Sequence, residues 1–108
     1  MAAPGKWTPR DATDRIRTCA NNAAFTPHWK RFALECLHER DLIVGDVLHA
    51  LREGMVLDEP TPSDLAGYFR YTVESKVPNG EGRTLTVVVV PGHGCELKII
   101  RVTWSDEQ

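Results

Sequence analysis

Apolar residues recur with a helical period in the first half of this chain and with a period of two in much of the second. Ala12, Ile16, Cys19, Ala20 and Ala23 stand at i, i+4, i+7, i+8 and i+11, one face of a helix. Thr8 suits the N-cap, Pro9 the first helical position and Asp11 the positive helix end, so the helix starts there; Asn21-Asn22 stops it. Thr26-Pro27 repeats that start, and Trp29, Phe32, Ala33, Cys36 and Leu37 form the next stripe, opposite Lys30, Arg31, Glu35, His38 and Glu39. A third helix is predicted over Val44 to Glu53, with Val47, Leu48 and Leu51 inward and Gly54 as a left-handed C-terminal cap. Gly45 weakens its start, which Asp46 supports through the helix dipole.

Beyond Gly54 the punctuation changes. Met55-Val56-Leu57 reads as a short extended piece, and Pro60 and Pro62 are expected to keep the Asp58–Asp64 loop irregular. Tyr68 to Glu74 then alternates, with Phe69, Tyr71 and Val73 on one face and Arg70 and Thr72 on the other. Pro78-Asn79-Gly80-Glu81-Gly82 and Pro91-Gly92-His93-Gly94 are turn signals. Between them the valine run of Arg83 to Val90 suits a central strand, and Leu97 to Trp104 gives the last one. Short turns imply antiparallel pairing in sequence order. The expected fold is one α+β domain over residues 1–108, with residues 1–7 flexible and two to three N-terminal helices on one face of a three-stranded antiparallel sheet.

Composition narrows the function classes. The chain has 108 residues, 42% hydrophobic and 26% charged, enough for one core and unlike a disordered segment. No apolar run approaches a bilayer span and the start lacks a signal-peptide stretch, so no membrane partner and a cytoplasmic location are expected. Cys19, Cys36 and Cys95 do not read as a disulfide framework; the first two fall on helical stripes and Cys95 in a turn. Net charge is −2, so any basic surface must come from local geometry.

The segment Glu39-Arg40-Asp41-Leu42-Ile43-Val44-Gly45-Asp46-Val47-Leu48-His49-Ala50-Leu51-Arg52-Glu53-Gly54 resembles a motif of the bacterial family known as domain of unknown function 4258. That motif runs roughly E-R-G-I-x-x-x-D-V-x-x-x-L-x-x-G, with Asp41 in the place of its first glycine. Gly67-Tyr68-Phe69-Arg70-Tyr71-Thr72-Val73 is similar to the family's G-x-x-R-Y-x-V strand, and Ile99-Ile100-Arg101-Val102-Thr103-Trp104 to its closing strand. Phe32 stands where members often carry a histidine; His28 lies one helical turn earlier. The resemblance covers about residues 26–104 and implies a RelE-like fold, because the family is grouped with the small RelE and MqsR toxins. It further implies a ribonuclease that inhibits translation, neutralised by an antitoxin, with RNA or the ribosome as target.

A ribonuclease that works without metal or cofactor needs a base, an acid and cations for the phosphorane charge. His28 and Tyr71 are the candidates for base or acid; Lys30, Arg31, Arg40, Arg70 and Arg101 are those for charge. Arg70 is expected on the open sheet face, and His28 in the first turn of the second helix, where free N–H groups attract phosphate. To serve one site, His28, Arg31 and Arg70 should lie within about 12 Å of one another. His93 and Cys95 flank one glycine, but two ligands do not make a structural zinc site, so no metal is expected. The alternatives are a catalytically inactive RelE-like module that holds a protein partner, and a homodimer joined through an edge strand.

Overall fold

The computed structural model describes residues 3–77 and 82–107. In chain order the elements are α1 (Pro9–Ala20), β1 (Thr26–Trp29), α2 (Arg31–Glu39), α3 (Val44–Glu53), β2 (Met55–Val56), β3 (Thr61–Pro62), β4 (Phe69–Lys76), β5 (Thr84–Pro91) and β6 (Glu96–Trp104). The fold is α+β, as its punctuation implies. The sheet, however, has six strands and is mixed, not three-stranded and antiparallel: its order is β1-β6-β5-β4-β2, with β3 also on β4. The expected trio β4, β5 and β6 forms its antiparallel centre.

α1 begins where its residues dictate. Thr8 accepts a hydrogen bond from the Asp11 N–H, Pro9 follows, and Asn21 is the C-cap. Ala12, Ile16 and Ala20 are buried. α3 covers the predicted span, with the Asp46 carboxylate accepting from the Ile43 N–H at 3.0 Å. Val47, Ala50 and Leu51 are buried, whereas Leu48 is half-buried. Gly54 is its C-cap but is extended (φ −78°, ψ −179°), not left-handed. Glycine is needed there for space, since a Cβ would stand 2.6 Å from Val73 Cγ1 and 2.9 Å from the Glu74 carbonyl oxygen. Arginines cross between the two helices: Arg17 Nε donates to the Gly54 carbonyl at 2.7 Å and Arg52 Nε to the Ala20 carbonyl at 3.3 Å. Each satisfies a carbonyl at the other's C-terminal end.

Residues 26–29 depart most from expectation. Thr26-Pro27 starts a strand, and the helix begins only at Arg31, with Lys30 as its N-cap. β1 runs parallel to β6, pairing Thr26 with Glu96 and Trp29 with Ile99. The N–H groups of Thr26 and Lys30 donate to the carbonyls of Cys95 and Ile99. A ladder along the free edge of β6 outweighs a helix start of similar local chemistry, and Pro27 is tolerated because β1 is an edge. Ala33, Cys36 and Leu37 are buried as the α2 stripe implies, but Phe32 is 55% exposed.

One face of the sheet carries the core. Tyr71 and Val73 of β4, Leu85, Val87 and Val89 of β5, and Leu97, Ile99 and Val102 of β6 are all buried. α2 packs on β6, α3 on β4 and β5, and α1 on α3 and β2. Buried Thr13 pins β2 by accepting from the Val56 N–H at 2.9 Å. Thr61 and Pro62 pair with Arg70 and Phe69, so the proline loop is not wholly irregular. Residues 5–7, expected to be flexible, are held against the body. The Gly5 N–H donates to the Gly67 carbonyl, the Trp7 N–H to Tyr71 Oη, and the Trp7 ring stacks on Tyr71. Four of the five residues of the Pro78–Gly82 turn signal, 78–81, lie outside the described residues.

Cys19 and Cys95 form a disulfide, with Cα atoms 5.0 Å apart, so the expectation of unpaired cysteines is corrected; Cys36 is buried and free. The bond ties the end of α1 to the β5–β6 turn across a sequence separation of 76 residues. Closing a loop of that length removes unfolded-chain entropy worth about 4 kcal/mol. Cys19→Ser should therefore lower unfolding free energy in urea by roughly 2–4 kcal/mol. Reductant should do the same to wild type and nothing to the variant. Equal midpoints for oxidised wild type and the variant would show that the bond contributes nothing.

Candidate functional site

The sheet face opposite the helices carries the candidate site. Alternation places Arg70 and Thr72 of β4 there, while Tyr71 and Val73 point into the core. Thr72 lies beside Val88 and Val88 beside Arg101; further along, Val90 lies beside Lys98 and Lys98 beside His28. The β5–β6 register slips between Val88 and Val89, where Arg101 opposes Val88 and Ile99 opposes Val89. Ile100 is thus the extra residue of a β-bulge, and it joins Lys98 on the open face.

At this end of the face the β3–β4 loop folds over a cleft of about 170 Å³. Lys30, Arg70 and Lys98 supply its cations, Asp64 its carboxylate, Tyr68 its phenol, and Val90 and Ile100 an apolar floor. Arg70 is held by Asp64, with Nη2 3.3 Å from Oδ1, and Asp64 is fully exposed. Three cations against one carboxylate give the cleft a positive excess within a chain of net charge −2. Local geometry supplies what the composition lacks.

Tyr68 enters through a turn at Gly67, whose φ of +84° favours glycine. The Tyr68 N–H donates to the Leu65 carbonyl and its carbonyl accepts from the Ser63 N–H, which tethers the loop to the start of β4. Its Oη lies 3.3 Å from Nε2 of His93 in the β5–β6 turn. That turn is closed by the Gly92 N–H donating to the Glu96 carbonyl and the Glu96 N–H to the His93 carbonyl. Two residues on, Cys95 anchors it to α1.

The predicted site residues divide. Arg70 and Lys30 line the cleft. His28 is exposed on the same face, but three strand spacings of about 4.8 Å put its backbone roughly 14 Å from that of Arg70. Arg31 lies elsewhere: it is 94% exposed, pairs with Glu35 and lines a separate depression on α2. The trio His28, Arg31 and Arg70 is therefore not brought together. Arg101 is exposed on the open face beyond the cleft. Tyr71 is 1% exposed on the opposite face, and its Oη accepts from the Trp7 N–H at 2.8 Å. Burial pushes its pKa upward. It cannot meet a substrate in the cleft. Arg40 caps α2, binding Glu107 in two-pronged fashion and donating to the Cys36 carbonyl. Tyr68 and Lys98 line the cleft without being expected there, and His93 stands outside its lining, reached through Tyr68. For Tyr68 the signal was present, since it lies two positions before Arg70 on the same alternation.

No helix among the described residues is long and apolar enough to cross a membrane, and no three His, Cys, Asp or Glu side chains among them converge as metal ligands. The chain matches no protein-family model, no curated protein and no solved structure.

The Arg40–Glu107 clamp makes a pH prediction. The guanidinium and the Trp104 N–H lower the Glu107 carboxyl from 4.5 to about 2. A lowered native pKa stabilises the fold above the unfolded value and loses that effect as pH falls through the native one. Glu107→Gln should be less stable than wild type by under about 1 kcal/mol at neutral pH, because the pair is partly solvated. The gap should close between pH 4.5 and about 2 in thermal melts. A gap constant over that range would show that the carboxylate is not held by Arg40.

Proposed function

We propose that the open face binds single-stranded RNA through its phosphates and cleaves it, as a RelE-like toxin endoribonuclease neutralised by an antitoxin. The observation that carries this reading is the cationic cleft of Lys30, Arg70 and Lys98 on the helix-free face. Three ammonium or guanidinium groups converging over an apolar floor suit a phosphodiester whose charge grows in the transition state. His28 and Arg101 extend the same face to either side, along the path of a longer strand. Asp64 serves as a displaceable counter-ion, since an exposed ion pair contributes little.

Asp41, in the place of the motif glycine, has φ +52°, the left-handed conformation that glycine favours. The motif arginine, Arg40, reads as a structural clamp and not as a contact for RNA.

The inactive protein-binding module remains the second reading, favoured by one observation: among the described residues β1 ends the sheet, with no strand paired to its outer edge, where one could be added.

Induced expression in a bacterial host should arrest growth and degrade RNA, and Arg70→Ala should abolish both in a folded protein. In vitro, affinity for a short RNA should fall with salt at a slope near −2 for three phosphate contacts, reduced by about 0.7 in Arg70→Ala. Normal growth with intact RNA, and a wild-type slope near zero, would overturn the ribonuclease reading in favour of the module.

A further inference from the structure

We propose that Tyr68 and His93 are the proton-transferring pair of this cleft; the inference rests on the ribonuclease reading above. Tyr68 is the one phenol lining the cleft, beside Arg70, Lys30 and Lys98. Its Oη stands 3.3 Å from His93 Nε2, and the rings meet edge to face. That separation is at the long end for a hydrogen bond. His93 is the one histidine among the described residues with a side-chain hydrogen-bond partner. Both groups are half-buried and held from behind: Tyr68 by its backbone bonds to Ser63 and Leu65, His93 by a turn closed through Glu96 and the neighbouring disulfide. A phenol at the substrate with an imidazole behind it is the arrangement of an activated base.

The step balances without a metal or a redox partner. Tyr68 Oη accepts the proton of the ribose 2′-hydroxyl as its own proton passes to His93 Nε2, in the tautomer that leaves this nitrogen as the acceptor. The 2′-oxygen forms a bond to phosphorus, and the bond from phosphorus to the 5′-oxygen breaks. The leaving 5′-oxygen takes a proton from an ammonium of the cleft or from solvent. The products are a 2′,3′-cyclic phosphate and a 5′-hydroxyl. Arg70, Lys30 and Lys98 hold the phosphorane charge. The charged and titratable groups around the pair are Arg15 of α1, which lines the other side of the His93 turn, Glu96 and Lys98 of β6, and Lys30, Arg70 and Asp64 on the Tyr68 side.

The test uses the full chain with Tyr68→Phe and His93→Asn, each checked for an unchanged thermal melt. On an RNA oligonucleotide, Tyr68→Phe should lower kcat by about 100-fold or more with KM changed less than about threefold. His93→Asn should lower kcat and remove the unit-slope rise of rate with pH on the acid side. Independently of RNA, the imidazole ¹⁵N titration of His93 should shift in Tyr68→Phe. Cleavage by wild type that both variants retain with the same pH profile would overturn the pair and leave the ribonuclease reading standing. An unaltered His93 titration in Tyr68→Phe would overturn the pair too. Absence of binding and cleavage in wild type would overturn both.

Discussion

Burial of one face of β5 is the constraint on which the rest of the structure depends. Leu85, Val87 and Val89 are wholly buried, and hydrogen bonds to β4 on one side and β6 on the other fix the register of both neighbours. A slip by one residue would turn every valine to the opposite face. With register fixed, α3 packs on β4 and β5 and α2 on β6, and the face left uncovered is determined as well. The position of Arg70, Lys98 and Thr72 on that face follows from the burial of Tyr71, Val73, Leu97 and Ile99.

The cleft is built by two additions to this frame. β1 extends the sheet beside β6 and delivers Lys30 to the cleft that Lys98 also lines, at the point where the chain turns into α2. On the other side the β3–β4 loop brings Asp64 and Tyr68 over Arg70. The disulfide connects this end of the sheet to α1, two residues from His93. The bond that constrains the unfolded chain therefore also ties down the turn that carries His93.

Elements set by local chemistry were legible in the sequence. Thr8-Pro9-Arg10-Asp11 announced α1, the stripe around Val47 and Leu51 announced α3, and alternation put Arg70 outward. The same alternation turns Tyr71 inward, which is incompatible with the catalytic role expected of it. Thr26-Pro27 misled because a helix N-cap and an edge strand use the same residues, and only the free edge of β6 decides between them. Pairing of Cys19 with Cys95, and of Tyr68 with His93, depends on strand order and turn closure, which a linear pattern does not encode. A six-stranded sheet was out of reach for the same reason, since β2 and β3 are two residues each.

Amide and side-chain NMR of the ¹⁵N-labelled chain, titrated with a non-cleavable 2′-O-methyl RNA oligonucleotide, tests the central claim most directly. The expected perturbations fall on Lys30, Tyr68, Arg70, Lys98 and their neighbours, and spare the α2 surface around Arg31 and Glu35. Perturbations centred on α2, or none at concentrations where charged surfaces bind RNA without specificity, would contradict a phosphate site on the open sheet face.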